Sequence, residues 1–296
     1  MMMLESELVS VALCTYNGAA YLEQQLSSIV AQSYKNIEII IVDDGSSDDT
    51  ISIVKRFLEQ DTRVKLYCNA KNLGFNANFS KAISLCSGAF IAISDQDDIW
   101  MPEKISKMVA AIGENLLSYH NSALIDADGN QLGKSRLTTH RFVSGFCSKM
   151  LLLNNCVSGH ACLFRRELLG MVPPLPANFY YDWWLAYTAA CTGRINFTAE
   201  ALVLYRIHGR SITQQDAAAS KLLRIHHYEL FRTHPGTPLD VRLFLEKLLH
   251  RYKDTASKSF SFGLFFFMIA HYRVLFYTRR RSLFSHLKFI WRESSN

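Results

Sequence analysis

The chain predicts an α/β fold: a mainly parallel sheet sandwiched by helices, followed by a helical C-terminal extension. Three observations predict it. Short β-rich apolar runs alternate with segments whose apolar residues recur at helical spacing. The loops between them are short, as strand–helix–strand units require. The early polar clusters (Thr15 to Asn17, Asp43-Asp44, Asn72, Asp95 to Asp98) all follow strands. They therefore share the carboxyl-end rim, where open α/β sheets bind their ligands. A random scatter of loop polars would occupy both rims.

The elements follow in order. Val9 to Cys14 is a strand, broken by the turn signal Thr15-Tyr16-Asn17-Gly18. Leu22, Leu26, Ile29 and Val30 form a helical stripe. Ile37 to Val42 is the second strand, ending in Asp43-Asp44-Gly45. Ser47 or Asp48 is placed to cap the helix that carries Ile51, Val54, Phe57 and Leu58. Val64 to Cys68 is the third strand. Phe75, Phe79, Ala82, Ile83 and Cys86 make the third helix, with Gly88 just past its end. Ala89 to Ser94 is the fourth strand, and Pro102 opens a helix carrying Ile105, Met108, Val109 and Ile112. Asp126 to Asn130 reads as a hairpin turn. Pro173 to Pro176 is a rigid loop, and an apolar helix then runs from Tyr181-Asp182-Trp183-Trp184 to Cys191.

At 296 residues and 49% hydrophobic, the chain has ample material for a core. Its mean hydropathy is +0.03. The net charge of +6 is unevenly spread. From Lys221 onward there are 14 Lys and Arg against 5 Asp and Glu, so the preceding part is slightly acidic. A basic tail implies an anionic surface as its partner. Phe260 to Ile269 is nearly all apolar, but His271 and Arg273 interrupt its continuation. It falls short of the roughly 18 to 20 apolar residues of a spanning helix. The alternatives are an in-plane membrane helix and a helix packed on the core. Seven cysteines without a C-x-x-C pair read as reduced core thiols, the pattern of a cytoplasmic protein.

Three carboxylates within four residues (Asp95, Asp97, Asp98) end the fourth strand. Crowded like charges raise one another's pKa unless a cation compensates. In an extended strand end, Asp95 and Asp97 share one side and Asp98 takes the other. Hard oxygen ligands with room for water and phosphate oxygens suit magnesium or manganese. The competing reading is a solvated acidic turn.

The three motifs Thr15-Tyr16-Asn17-Gly18, Asp43 to Asp48, and Ser94-Asp95-Gln96-Asp97-Asp98 together resemble the family 2 glycosyltransferases, over roughly residues 8–212. These have the GT-A fold, with a Rossmann-like nucleotide-binding core and a D-x-D motif. Tyr205-Arg206-Ile207-His208 is similar to the closing Y-R-x-H motif of the bacterial subset. Asp95 to Trp100 and Asp182 to Trp184 resemble rhamnosyltransferases of cell-surface polysaccharide (O-antigen) synthesis.

The resemblance implies a metal-dependent inverting transfer from a pyrimidine nucleotide-sugar, dTDP-L-rhamnose or another donor such as a UDP-hexose. A lipid-linked oligosaccharide at the inner face of the cell membrane would be the acceptor. Asp44 would read the base, with Thr15 and Tyr16 lining it; Asn17 either joins them or only shapes the turn. Asn72, Gly74 and Asn78 would border the ribose or sugar. Asp97 is the implied metal ligand, joined by Asp95 and by His208. Asp95 would also support the ribose, and Asp98 would face the donor sugar or order the loop. Asp182 would be the general base, with Trp183, Trp184 and His160 toward the acceptor; core tryptophans and a satisfied loop histidine are the plainer alternatives. The chain departs from the commoner pattern at Tyr181 and Asn121, which bears on acceptor choice.

The expected organisation is a glycosyltransferase domain over 1–216 (donor half about 8–116, acceptor half about 117–216) and a basic, aromatic region over 217–296 that meets the membrane. Phosphoryl-transfer chemistry is disfavoured, because in aspartate-nucleophile phosphatases the D-x-D follows the first strand. A silent nucleotide- or membrane-binding module would lack Asp182, which is present. The tail has no motif that reads nucleic acid.

Overall fold

The computed structural model describes residues 7–176, 179–209, 220–255 and 259–295. Five helices and nine strands form the first part. The strands are β1 (Val9–Thr15), β2 (Ile37–Asp43), β3 (Val64–Cys68), β4 (Phe90–Ser94), β5 (Ile99–Trp100), β6 (Leu117–Ile125), β7 (Gln131–Ser135), β8 (Cys162–Arg165) and β9 (Ile195–Arg206). The helices are α1 (Ala19–Val30), α2 (Thr50–Gln60), α3 (Phe75–Leu85), α4 (Lys104–Ile112) and α5 (Tyr181–Cys191). The expected alternation through α4 is present. Pro102 stands two residues ahead of α4, and the Asp48 carboxylate accepts the Thr50 N–H (3.0 Å) at the start of α2.

The sheet order is β3-β2-β1-β4-β8-β6-β9-β5, with β7 paired to β6. β3, β2, β1 and β4 are all parallel. Beyond β4 the sheet is mixed, because β8 runs antiparallel to both β4 and β6 while β6 and β9 run parallel. The Asp126 hairpin forms as expected and joins β6 to β7.

Successive side chains of a strand point to opposite faces, and here both faces are covered. Val9, Val11, Leu13, Ile39 and Ile41 pack against α1, α2 and α4. Ala12, Ile40, Val42, Ile91 and Ile93 face α3, α5 and the C-terminal helices. α5 is apolar all round and is accordingly buried from end to end, except at Asp182. Six of the seven cysteines are buried and all seven are free thiols.

The C-terminal region adds α6 (Lys221–Thr233), α7 (Leu239–Asp254), α8 (Phe262–Ala270), the single turn α9 (Tyr272–Leu275) and α10 (Leu283–Ser294). The expected domain boundary at 216/217 lies outside the described residues. Tyr228, Phe231, Leu245 and Leu248 belong to the same core as Trp183 and Tyr187. Among the described residues no helix is long and apolar enough to cross a membrane. Of the two sequence alternatives for Phe260 to Ile269, packing on the core is seen along one face of α8. Leu264 and Met268 of α8 face the core, whereas Phe262, Phe266 and Ile269 are exposed.

A buried ion pair fastens the last helix. Arg224 of α6 donates from Nε to Glu293 Oε2 (3.0 Å) and from a terminal nitrogen to Oε1, and the Tyr252 hydroxyl also donates to Oε2 (3.0 Å). Removing one partner of such a pair strands the other charge in the core. Glu293→Gln should lower stability by about 3 kcal/mol in urea unfolding. The double change Arg224→Met with Glu293→Leu should recover most of that loss.

Candidate active site

Sheet register decides which loops meet. Thr15 lies beside Asp43, and Ser94 beside Leu13, so the loops after β1, β2 and β4 rise together from one rim. Hydrogen bonds tie them. The Thr15 hydroxyl donates to Asp43 Oδ2 (2.8 Å), and Asp43 Oδ1 accepts the N–H groups of Gly45 (3.1 Å) and Ser46 (2.8 Å). Asn17 is the one described non-glycine residue with a positive φ (47°). Its Oδ1 accepts the Ser47 N–H at 2.8 Å, so it shapes the turn. Gln96, to which the sequence assigned no role, clamps the Tyr16 backbone: its Oε1 accepts the Tyr16 N–H (2.8 Å) and its Nε2 donates to the Tyr16 carbonyl (3.1 Å). A Cβ on Gly18 would meet that Oε1 at 2.2 Å, which explains the glycine. The Tyr16 ring itself is 48% exposed, with a face open for a base.

Asp44 is buried. It accepts from Asn69 Nδ2 (2.7 Å), the Leu73 N–H (2.8 Å) and the Gly74 N–H (2.9 Å). A carboxylate offers about four lone-pair sites, so one remains for the N–H of a base. Gly74 sits at φ +83° with open space around it, so its glycine serves the backbone conformation. Asn72 is exposed and accepts the Gly74 N–H at 3.0 Å. Asn78 is buried with both ends engaged, donating to the Val42 carbonyl (2.9 Å) and accepting from Asn69 (2.9 Å). Tyr16, Asn72 and Gly74 therefore lie on the open rim, while Thr15 and Asn78 brace it from beneath.

The acidic turn differs from the extended strand end. β5 pairs antiparallel with β9, Ile99 beside Leu204, which forces the chain to bend between Ser94 and Ile99. Asp98 is thereby turned inward. Donor atoms of Asp95, Asp98 and His160 come within 4.8 Å of one another. Asp97 is not in that group and pairs with His208, its Oδ2 2.8 Å from His208 Nε2. The expected metal ligands thus divide: Asp97 and His208 pair, and Asp95 joins Asp98 and His160. Asp98 Oδ1 accepts the Arg206 N–H (3.1 Å), and its Oδ2 is buried without a hydrogen-bond partner among the described residues. His160 is buried, bonded through Nε2 to Ser122 Oγ (2.9 Å) and stacked on Tyr205 at 4.4 Å.

Burial raises the pKa values of all three carboxylates, and repulsion from their neighbours adds to the rise of Asp97 and Asp98. Asp95 is pushed up to about 6 by burial. Asp97 is raised by burial and by Asp95. Asp98 rises furthest, through burial and then the charges of Asp97 and Asp95. Lys104 is an internal cation that the sequence reading missed, concealed in an ordinary helical stripe. It is buried, donates to the His160 carbonyl (2.6 Å) and lies 3.5 Å over the Trp100 ring. Burial lowers it to about 7. His160 is held well below its ordinary value by burial and then by Lys104.

Asp182 sits in the first turn of α5, partly buried. Its Oδ1 accepts the Trp183 N–H (2.6 Å) and its Oδ2 the Gly159 N–H (3.2 Å). Burial pushes it up to about 7, with Asp95 adding to the rise. Gly159, which bonds Asp182, is followed by His160, whose Nδ1 lies 3.6 Å from Asp95 Oδ2, so Asp182 and the acidic turn flank the same short segment. Tyr181 stacks on Phe79 at 4.4 Å, and a Cβ on Gly159 would meet its hydroxyl at 2.1 Å. Trp183 and Trp184 are core residues. Their Nε1 groups donate to the carbonyls of Leu151 (2.8 Å) and Pro173 (3.1 Å), and both rings pack on Phe179 and Phe231. Asn121 is buried and accepts the Leu137 N–H.

Arg206 holds the turn in place. Its Nε donates to the Asp97 carbonyl (2.8 Å), NH1 to the Ala127 carbonyl (2.9 Å) and NH2 to Gln24 Oε1 (2.7 Å). The closing motif is thus legible as a clamp: Tyr205 under His160, Arg206 around the turn, His208 on Asp97.

Comparison with known proteins agrees with the fold. A glycosyltransferase of Haemophilus influenzae, itself uncharacterized, is 29% identical over 73% of this chain and 72% of its own length. The O-antigen biosynthesis glycosyltransferase WbnJ of Escherichia coli is 27% identical over 72% of this chain and 84% of its own. Among solved structures, S. aureus TarS 1-349 in complex with UDP-GlcNAc superposes with a TM-score of 0.64, covering 88% of this chain and 81% of that one at 18% identity. The mannosyltransferase PcManGT from Pyrobaculum calidifontis, in complex with GDP-Man and Mn2+, gives 0.58, covering 82% and 70% at 19% identity. The model of glycosyl transferase family 2 matches residues 10–170, more than half of the sequence, and the chain belongs to that family.

Proposed function

We propose that this glycosyltransferase moves a sugar, with inversion, from a pyrimidine nucleotide-sugar to a hydroxyl of a lipid-linked oligosaccharide in cell-surface polysaccharide synthesis. The observation that carries the reading is the convergence of Asp182 with the Asp95–Asp98 turn in one cleft. It puts a carboxylate base opposite a cluster suited to a diphosphate. The sequence around Asp95 and Asp182 favours dTDP-L-rhamnose as donor, with a UDP-hexose as the competitor. The acceptor class is supported by the name of a Campylobacter jejuni relative, a GalNAc(5)-diNAcBac-PP-undecaprenol beta-1,3-glucosyltransferase, 33% identical over 41% of this chain and 40% of its own length.

The cleft fits a divalent cation. Its donors are carboxylates and imidazoles; among the described residues no lysine or arginine side chain lies within hydrogen-bond distance of the carboxylates, and Asp98 Oδ2 is a buried acceptor without a hydrogen-bond partner. Side chains that share a cation with a diphosphate must be open to the cleft. Asp95, Asp97 and His208 are partly exposed, whereas Asp98 and His160 are buried. Asp95, Asp97 and His208 would therefore hold the cation, with Asp98 and His160 as the floor beneath. Bound there, magnesium or manganese supplies Lewis-acid neutralisation of the leaving diphosphate.

The protein's own groups carry the remaining steps. Tyr16 stacks on the base and Asp44 accepts its N–H. Asp182 takes the proton of the acceptor hydroxyl as that oxygen bonds to the anomeric carbon. The bond from that carbon to the diphosphate breaks, its electron pair leaving with the nucleoside diphosphate. A base must be unprotonated to act, and burial holds Asp182 near neutrality.

The exposed apolar residues of α8 and α10 support docking at the inner membrane face. Phe262, Phe266, Leu283, Phe284 and Trp291 are exposed beside the basic Lys288 and Arg292. Such a surface suits an anionic bilayer, apolar groups entering the interface and basic groups meeting headgroups.

Four measurements test these assignments. Asp182→Asn should cut turnover by roughly 100-fold or more while donor affinity by calorimetry stays near wild type. In the wild-type enzyme kcat/KM should rise with pH through about 7 and then level, as Asp182 loses its proton; a flat profile between pH 5 and 8 would count against Asp182. Asp97→Ala should abolish the difference between metal-loaded and chelator-treated donor binding across a panel of dTDP-, UDP- and GDP-sugars. That panel also decides between dTDP-L-rhamnose and a UDP-hexose. The double change Phe266→Ser with Phe284→Ser should release the protein from anionic vesicles in sedimentation; undiminished binding would place the membrane contact elsewhere.

A further inference from the structure

The C-terminal extension brings a run of arginines against the acceptor side of the cleft. Thr278 to Arg280 lies alongside Thr139 to Arg141 as a short antiparallel pairing. The Arg141 N–H donates to the Thr278 carbonyl (2.9 Å), the Arg280 N–H to the Thr139 carbonyl (2.9 Å), and His140 bridges to Arg279. The same short segment begins at Arg136, whose carbonyl accepts the His140 N–H (2.9 Å). Arg136 in turn reaches the base: its NH2 donates to Ser158 Oγ (3.2 Å), and the next residue, Gly159, donates its N–H to Asp182.

Arg136, Arg141, Arg279, Arg280 and Arg281 thus gather where two chain segments meet. None of the five takes part in an ion pair among the described residues. Two of their guanidinium donors, Arg136 Nε and Arg279 Nε, are buried with no hydrogen-bond partner among the described residues. Arg280 and Arg281 are exposed, which is ordinary for arginine; the buried orphans are not. Like charges packed this way repel. His140 between them is pushed down to about 3, by burial and then by Arg136 and Arg279. Arg279 is lowered by burial and then by Arg281 and Arg136. Since guanidinium does not lose its proton in proteins, the strain is relieved by an anion. Phosphate oxygens match the planar fork of arginine, which accounts for two arginines better than a lone carboxylate would.

We propose that Arg136 and Arg279, with Arg281 at the rim, form a binding site for a phosphate or diphosphate group next to Asp182, and that this group belongs to the acceptor. The proposal rests on the reading above that the acceptor is a saccharide carried on a lipid phosphate. Holding that phosphate would fix the distance from the lipid anchor to the hydroxyl at Asp182. The basic extension would then complete the acceptor site as well as meet the membrane.

The test uses the full chain in chelator, which removes metal-dependent binding of phosphates at the acidic turn. Farnesyl diphosphate, farnesyl monophosphate and inorganic pyrophosphate are titrated calorimetrically against wild type, Arg279→Gln, Arg136→Gln and the milder Arg279→Lys. The expected result is diphosphate binding that weakens at least tenfold in each Gln variant, weakens less in Arg279→Lys, and is untouched by Asp97→Ala. Equal binding by wild type and variants, or no binding of any of the three probes by folded wild type, overturns the proposal. Sedimentation with phosphatidylglycerol vesicles separates headgroups from the acceptor phosphate. If the Gln variants lose vesicle binding yet hold the soluble diphosphate as wild type does, the arginines serve headgroups and the proposal fails. Donor binding measured on the same proteins with magnesium or manganese restored reports on the glycosyl-transfer reading by itself: its absence in wild type would sink that reading while the phosphate titration still stands.

Discussion

The cleft depends on one buried side chain, Arg206. Three carboxylates crowd the turn after β4, and the turn must be held without using up the oxygens that make it useful. Arg206 does this with its backbone and fork. Only its main-chain N–H goes to a carboxylate, that of Asp98, while its guanidinium donates to the carbonyls of Asp97, Asp126 and Ala127 and to Gln24. Its cation lies over the Tyr21 ring at 4.6 Å. A full positive charge is thereby buried beside the acidic turn, while Asp95 and Asp97 keep oxygens facing the cleft. Because Arg206 ends β9 and reaches the loops after β4 and β6, it also fixes the two halves of the sheet against each other.

Lys104 is the second internal cation, under the opposite side of the turn. Its field favours the ionised forms of Asp95 and Asp98, and disfavours protonation of His160 and His120. The two cations and three aspartates form one electrostatic unit. In it, desolvation pushes the carboxylates toward neutrality and the cations oppose that push. A divalent ion arriving at Asp95 and Asp97 would meet carboxylates that already favour a positive partner.

The C-terminal extension is woven into this design. α6 and α7 complete the core beneath α5, which positions Asp182, so Asp182 and the extension share one packed layer. The buried Arg224–Glu293 pair anchors α10, leaving its other face, with Phe284 and Trp291, exposed. The link between α9 and α10 carries Arg279 to Arg281 to the loop that holds Arg136. A region that reads in sequence as a separate basic tail therefore shares its core with the preceding part of the chain.

The sequence by itself determined the alternating strands and helices through α4, because period-2 and helical apolar patterns and turn residues are local signals. It determined that the polar clusters share one rim, because each follows a strand. It also marked Asp182 and the Tyr205–His208 segment through their resemblance to family motifs. Tertiary structure alone decided which side chains meet. β9 is twelve residues long with polar interruptions, so its pattern was not readable, and its pairing with β5 bends the acidic turn so that Asp98 joins Asp95 and His160 and Asp97 joins His208. Trp183 and Trp184 became core rather than open acceptor surface because α6 covers α5. Gln96, Lys104 and Arg136 had no local signature. Their roles come from contacts 80, 56 and 22 residues away in sequence, and local pattern carries no information about partners that only folding brings into reach.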